Sequence, residues 1–211
     1  MGISNSFNMK IYRNIFNKVI SLENLFGAWE KFKKGKQKKP DVQKFEFQLE
    51  QNIFSLYEDL KSKKYRHGPY HGFCISDPKL RHIHKATVRD RVLHHAVFKI
   101  LNPIFEPTFI PDSFSCRADK GNHKGVITVE NMARKVSRNY KSNCYVLKCD
   151  IKKFFDSVDH EILLKTISKK IIDEDTMWLM KEIVHSFNMI PKRERVKERF
   201  LKQKKVFLLA I

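Results

Sequence analysis

At 211 residues the chain holds one domain or one and a half. It is 42% hydrophobic with 17 Phe, enough for a sizeable core, and 42 Lys and Arg against 23 Asp and Glu leave a formal charge of +19. That excess points to a polyanionic partner, since cations that neutralise phosphates release condensed counterions, with a merely soluble basic protein or a membrane-surface binder as the alternatives.

No apolar run approaches the roughly 18 residues of a membrane-spanning helix, and Met1 to Lys10 lacks a secretory-signal pattern. No membrane partner is expected. The four Cys form no C-x-x-C pair. Reduced thiols in a cytoplasmic setting are therefore expected, and zinc is disfavoured.

Residues 1–20 are weakly patterned. From Ser21, the spacing of Leu22, Leu25, Phe26 and Trp29 predicts a helix that fades into the basic run 31–39. That run is either a solvated linker or a contact to an RNA backbone. Pro40 stops one element and Asp41 is expected to cap the next. Val42, Phe45, Leu49, Ile53, Leu56 and Leu60 then step at three or four residues, predicting one amphipathic helix.

Beyond Lys64 the pattern turns strand-like. Phe73 to Ile75 and Arg81 to Ala86 flank Asp77-Pro78-Lys79-Leu80, where Pro78 favours a turn, so a β-hairpin is expected. Thr87 to Leu101 reads as a helix that Asn102-Pro103 and Glu106-Pro107 break. His94 and His95 are adjacent, so they make no metal pair on one helical face. An irregular stretch leads through Arg117 to Gly121. A helix follows with Val126, Val129, Ala133 and Val136 on its apolar side.

A short β-prone run from about Cys144 ends on the carboxylate of Asp150. A basic and aromatic turn follows, then Asp159 as a helix cap, then a helix from Glu161 to Ile171. Asp175 is expected to cap a last helix bearing Met180, Ile183, Val184 and Phe187. A solvated cap explains the Asp173-Glu174-Asp175 cluster better than a metal site does.

The stretch Val146 to His160, with Asp150 and Phe155 in D-x-x-x-x-F spacing, resembles the first catalytic motif of reverse transcriptases of the bacterial group II intron and diversity-generating retroelement type. Three upstream blocks agree in order. They are Tyr65 to Tyr70 with Asp77 to Ile83, then Arg89 to His95, then Asp112 to Arg117 with Gly121 to His123.

The resemblance implies an α/β (more strictly α+β) fold, with the fingers and first half of the palm of a right-hand polymerase. Its divisions would be an N-terminal helical and basic extension at 1–40, fingers at 41–143, and a partial palm at 144–187. It further implies RNA-templated DNA synthesis by two-metal nucleotidyl transfer. Asp150 would be the catalytic carboxylate and, with the Ile151 carbonyl, would hold Mg²⁺. Lys79 and Arg81 would grip the triphosphate of a dNTP, and Phe155 would exclude a ribose 2′-hydroxyl.

Template RNA and a DNA primer are the implied partners, along with a retroelement RNA or accessory protein. Arg91, Arg117 and His123 are the candidate nucleic-acid contacts, Arg91 being equally readable as a structural salt bridge and the other two as structural residues.

Two metals bridging attacking and leaving oxygens need more than one carboxylate. The family's later Tyr/Phe-x-Asp-Asp hairpin, and the Gly-Leu-Pro-x-Gly block before it, occur nowhere in these 211 residues. Residues 188–211 read as an aberrant basic tail. Synonymous codons for Lys205 to Ile211 can spell Gly-Leu-Pro-Ile-Gly-Asn in a shifted frame, which suggests a frameshift. The chain is therefore expected to be inactive alone. The alternative is a non-catalytic basic RNA-binding or maturase-like remnant, separable because its binding would survive Asp150→Asn.

Overall fold

The computed structural model describes residues 10–76, 80–151 and 154–187, with only the backbone given for Phe155 and Asp156. The fold is mixed α+β, several helices and one small antiparallel hairpin. It divides into two units. One runs to Ile104 and resumes at Val158; the other spans Phe105–Ser157.

The first unit carries the core. Helix α1 (Phe16–Ile20) forms inside the weakly patterned N-terminal stretch, and Phe16, Val19 and Ile20 are buried. Ser21 caps α2 (Leu22–Lys33), its hydroxyl accepting from the Asn24 N–H at 3.2 Å. Leu25, Ala28, Trp29 and Phe32 form the buried stripe of α2, one helical turn apart.

Two expectations fail in the next segment. Pro40 does not end an element. It opens α3 (Pro40–Phe47), because its fixed φ suits the first helical turn and its missing N–H has no partner there anyway. The N-cap residue is Lys39, and Asp41 lies inside the first turn.

The stripe from Val42 to Leu60 is also two helices, with α4 at Leu49–Lys61 and Gln48 non-helical at φ −122° and ψ 42° between them. The interruption exposes the Phe45 carbonyl, which the Asn52 side-chain amide satisfies at 3.0 Å. Val42, Phe45, Ile53, Leu56 and Leu60 are buried regardless, so the hydrophobic period survives the break.

Strands β1 (His71–Ser76) and β2 (Leu80–Lys85) pair antiparallel, with Phe73 opposite Ile83, Cys74 opposite His82 and Ile75 opposite Arg81. Helix α5 (Val88–Phe105) then runs past Pro103 without ending. An interior proline costs about 3 kcal/mol. Burial of Leu101 and Ile104 on either side of it recovers a similar amount, about 1.5–3 kcal/mol for each large side chain.

The unit closes with α8 (His160–Ser168) and α9 (Glu174–Ser186). Asp159 caps α8 as the sequence implies, accepting from the Ile162 N–H at 3.0 Å. For α9 the cap is Asp173 rather than Asp175. One oxygen of Asp173 faces the α9 N–H groups. The other accepts from Ile15 N at 2.7 Å and Phe16 N at 2.9 Å, at the start of α1. Tyr12 forms a parallel bridge with Ile171, so the N-terminal stretch is tied to the linker before α9.

The second unit has little core. It holds a 3₁₀ turn (Glu106–Thr108), α6 (Gly121–Val136) and the short α7 (Phe154–Ser157). Gly121 takes φ +83°, a left-handed conformation that L side chains disfavour, and its N–H reaches the Phe114 carbonyl at 3.0 Å. No residue of α6 is buried; its predicted apolar side stands open at Val126, Val129 and Val136. The strand expected from Cys144 does not form, and residues 143–151 are irregular. A strand gains its stability from ladder partners. No described strand lies beside this one, and Leu147 is 88% exposed.

Candidate functional site

The best-defined polar centre of the first unit is built on Asp90, only 1% exposed. Thr87 and Asp90 occupy capping positions at the start of α5, with the Asp90 N–H donating to Thr87 Oγ1 at 3.2 Å. The Asp90 carboxylate then accepts from the Tyr65 hydroxyl at 2.7 Å, the Gly68 N–H at 3.1 Å and the Thr87 hydroxyl at 2.5 Å. Burial, joined by the adjacent Asp90 charge, pushes the Tyr65 phenol far above its ordinary range.

Gly68 leaves no free space for a side chain. A β-carbon there would come within 2.8 Å of the Thr87 methyl and 2.9 Å of Asp90 Oδ2.

From that anchor the chain enters the hairpin. The His67 ring stacks between Tyr70 and His94, with centroids 4.9 and 5.3 Å away, and its Nδ1 donates to the Gly68 carbonyl at 2.7 Å. Burial, then the neighbouring His67, lowers the His94 pKa to about 4. The Tyr70 hydroxyl meets Ser186 Oγ at 2.9 Å, while Ser186 donates to the Ile183 carbonyl at 2.6 Å. Phe187 packs edge-on against Tyr70 and His84. The start of β1 is thus held by α5 and α9 together.

The end of β2 has its own tie. Lys85 Nζ and Arg91 Nη2 each lie 2.7 Å from the same oxygen of Asp41. Burial works to raise the Asp41 pKa, but the hydrogen bonds and charges of Lys85 and Arg91 outweigh it and hold the carboxyl below its ordinary range.

The sequence-predicted site residues divide between the units. Arg81 is exposed on β2 and makes no ion pair among the described residues. Arg91 is engaged by Asp41, its guanidinium also lying 4.8 Å from the Phe32 ring centroid. Lys79 and the Phe155 side chain fall outside the described residues.

In the second unit, Arg117 donates to Glu106 at 2.7 Å and to the Ile110 and Ser113 carbonyls at 2.9 and 3.0 Å, clasping the loop before α6. His123 is exposed in the first turn of α6. Asp150 and Ile151 are exposed on the irregular segment. Among the described residues no three His, Cys, Asp or Glu side chains gather to hold a metal ion. Magnesium takes near-octahedral oxygen ligands, commonly one or two carboxylates completed by substrate phosphates and water; the Asp150 carboxylate and the Ile151 carbonyl would supply two of the six oxygens.

Sequence reading missed Asp90 and Asp41. Asp90 was detectable, because Thr87-x-x-Asp90 has the spacing of a capping pair. Asp41 was not, because its partners come from 44 and 50 residues away.

A mixed α+β arrangement of several helices and one small antiparallel hairpin agrees with the fingers of a template-copying polymerase. The sequence profile of the reverse transcriptase (RNA-dependent DNA polymerase) family matches residues 74–206, and the chain belongs to that family.

Its relatives include Protein YkfC of Escherichia coli K12, 28% identical over 59% of this chain and 33% of that protein. The group II intron-encoded protein LtrA of Lactococcus lactis is 27% identical over 65% of this chain and 22% of its own length. Nuclear intron maturase 1, mitochondrial, of Arabidopsis thaliana is 25% identical over 52% and 15%. The chain therefore corresponds to a third or less of the relatives it matches. Among the described residues no helix is long and apolar enough to cross a membrane.

Proposed function

We propose that this chain forms the fingers and first palm segment of an RNA-directed DNA polymerase of the retroelement type, and that as a 211-residue polypeptide it holds RNA without copying it. The observation that carries the reading is the hairpin. A short basic ribbon is fixed at both ends, by Asp90 and Ser186 at β1 and by Asp41 at β2, and the family profile covers it from Cys74 onward. A ribbon so held can present Arg81 to a triphosphate, and Lys79, two residues earlier in the sequence, would join it. Arg is suited to this because its planar fork binds two phosphate oxygens at once. Phe155 would select deoxyribose.

In the family, Mg²⁺ supplies charge stabilisation for nucleotidyl transfer. This chain's own part would be to place one carboxylate, Asp150, and to bind the template. His123, exposed, and Arg117, through the loop it clasps, would add contacts to that strand.

The test pairs two assays. Template RNA annealed to a DNA primer is extended with dNTPs, and RNA binding is followed by fluorescence anisotropy over a salt series. The expected result is no extension, with binding that weakens as salt rises and is unchanged by Asp150→Asn. Extension that Asp150→Asn abolishes would show the chain to be a complete polymerase. Absence of RNA binding at low salt would overturn the reading.

A further inference from the structure

Asp41 sits at a convergence of cations. Two cations from different elements, Lys85 at the end of β2 and Arg91 in α5, converge on one of its oxygens at 2.7 Å each. All three side chains remain partly open to solvent. Arg91 has support that does not depend on Asp41: its Nε donates to the Thr87 carbonyl at 3.4 Å, and its guanidinium lies over the Phe32 ring.

Lys36 is fixed on the same ring. Its Nζ sits 4.9 Å from the centroid and donates to the Phe32 carbonyl at 2.7 Å. The His95 ring meets Phe32 edge-on at 5.7 Å. Burial, then the charges of Lys36, Lys31 and Arg91, lowers the His95 pKa, so the surroundings are positive. The carboxylate of Asp41 is thus set into a cationic surface assembled from α2, the turn after it, β2 and α5.

Partly exposed ion pairs contribute little, because water competes for both charges and salt screens them. A phosphodiester offers the same two cations an anion with more acceptor oxygens, and a strand brings neighbouring phosphates to Lys36 and Lys31. We propose that Asp41 is an internal stand-in for an RNA backbone phosphate. On binding, the strand displaces the Asp41 carboxylate and takes Lys85 and Arg91 as a two-cation phosphate clamp. This rests on the RNA-binding reading above and adds to it where one phosphate goes and what holds the place before it arrives.

The experiment measures anisotropy of a labelled single-stranded RNA against the full chain at several salt concentrations. Asp41→Asn removes the competitor and should tighten binding by about threefold to tenfold. The comparison is with Glu50→Gln, which changes the net charge equally at an exposed position of α4 that makes no ion pair among the described residues. Lys85→Gln in the otherwise unchanged chain should lower the slope of log K against log salt by roughly 0.7, one phosphate contact to a single strand; Lys165→Gln on α8 should not. The Lys85 arm stands even if Asp41→Asn folds poorly, which a thermal melt would show.

Equal affinity of Asp41→Asn and Glu50→Gln overturns the proposal while leaving RNA binding intact. So does an unchanged slope for Lys85→Gln. A dNTP arm separates the two sources of phosphate: if Asp41→Asn tightens dNTP binding and leaves RNA binding unchanged, the clamp belongs to the nucleotide and the RNA assignment falls. If neither protein binds RNA, the parent reading fails first.

Discussion

Replacing Asp90 tests whether the hairpin is held by the buried carboxylate or merely rests near it. In Asp90→Ala, the Tyr65 hydroxyl and the Gly68 N–H both lose their acceptor, in a place where Tyr65 is fully buried. Each orphaned donor costs about 1–3 kcal/mol. Thr87, nearer the surface, can turn its hydroxyl to water. The expected loss is about 4 kcal/mol, a large part of the roughly 5–15 kcal/mol available to a domain.

Asp90→Asn separates shape from chemistry. Its carbonyl oxygen still serves Tyr65, but its amide nitrogen faces the Gly68 N–H, donor against donor, for a loss of about 1–2 kcal/mol. Tyr65→Phe should cost about 1 kcal/mol. Urea unfolding followed by fluorescence of Trp29, fully buried in the same unit, reads all three. Hydrogen exchange at Gly68 should accelerate in Asp90→Ala. Should Asp90→Ala lose less than about 1 kcal/mol, or Asp90→Asn match it, the clamp as described is wrong.

The remaining expectations use the same unfolding assay unless stated. Gly68→Ala should destabilise by about 1–3 kcal/mol, because its new methyl meets the Asp90 carboxylate where that group is already hydrogen-bonded. Asp173→Ala should lose about 2–4 kcal/mol, removing the α9 cap and the acceptor for two N–H groups of α1.

The His94 pKa is depressed to about 4, so the unfolded chain takes up a proton there before the folded one does. Stability should fall as pH drops from about 6.5 to 4, by roughly 3 kcal/mol at most, and His94→Phe should flatten that window. Asp41 and Asp173, both lowered, contribute stability present above their unfolded values. That part is lost only as pH falls further, through their folded ones. In α6, Val129→Lys with Val136→Lys should leave unfolding unchanged and reduce light scattering on concentration, since neither side chain has burial to lose.

What could be read from the chain followed the range of the interactions involved. The Asp159 cap, the hairpin and the helix expected from Ser21 depend on neighbours within a few residues, and all appear at their places. The boundaries at Gln48, Pro103 and Asp173 were misread because each is decided by a distant contact or by a compensation the pattern does not display. Asn52 fills a carbonyl, Leu101 and Ile104 hold a helix across a proline, and Asp173 serves α1 as well as α9.

The segment at 144–151 is the extreme case. Its composition is that of a strand, yet β-structure is a property of pairs, and an unpaired run of Tyr145, Val146 and Leu147 has nothing to lie against among the described residues. The residues are irregular in the structure, and a strand there would need a partner strand to pair with. The first unit can be tested for binding on its present geometry, whereas Asp150 stands exposed on an irregular segment that no described strand holds in place.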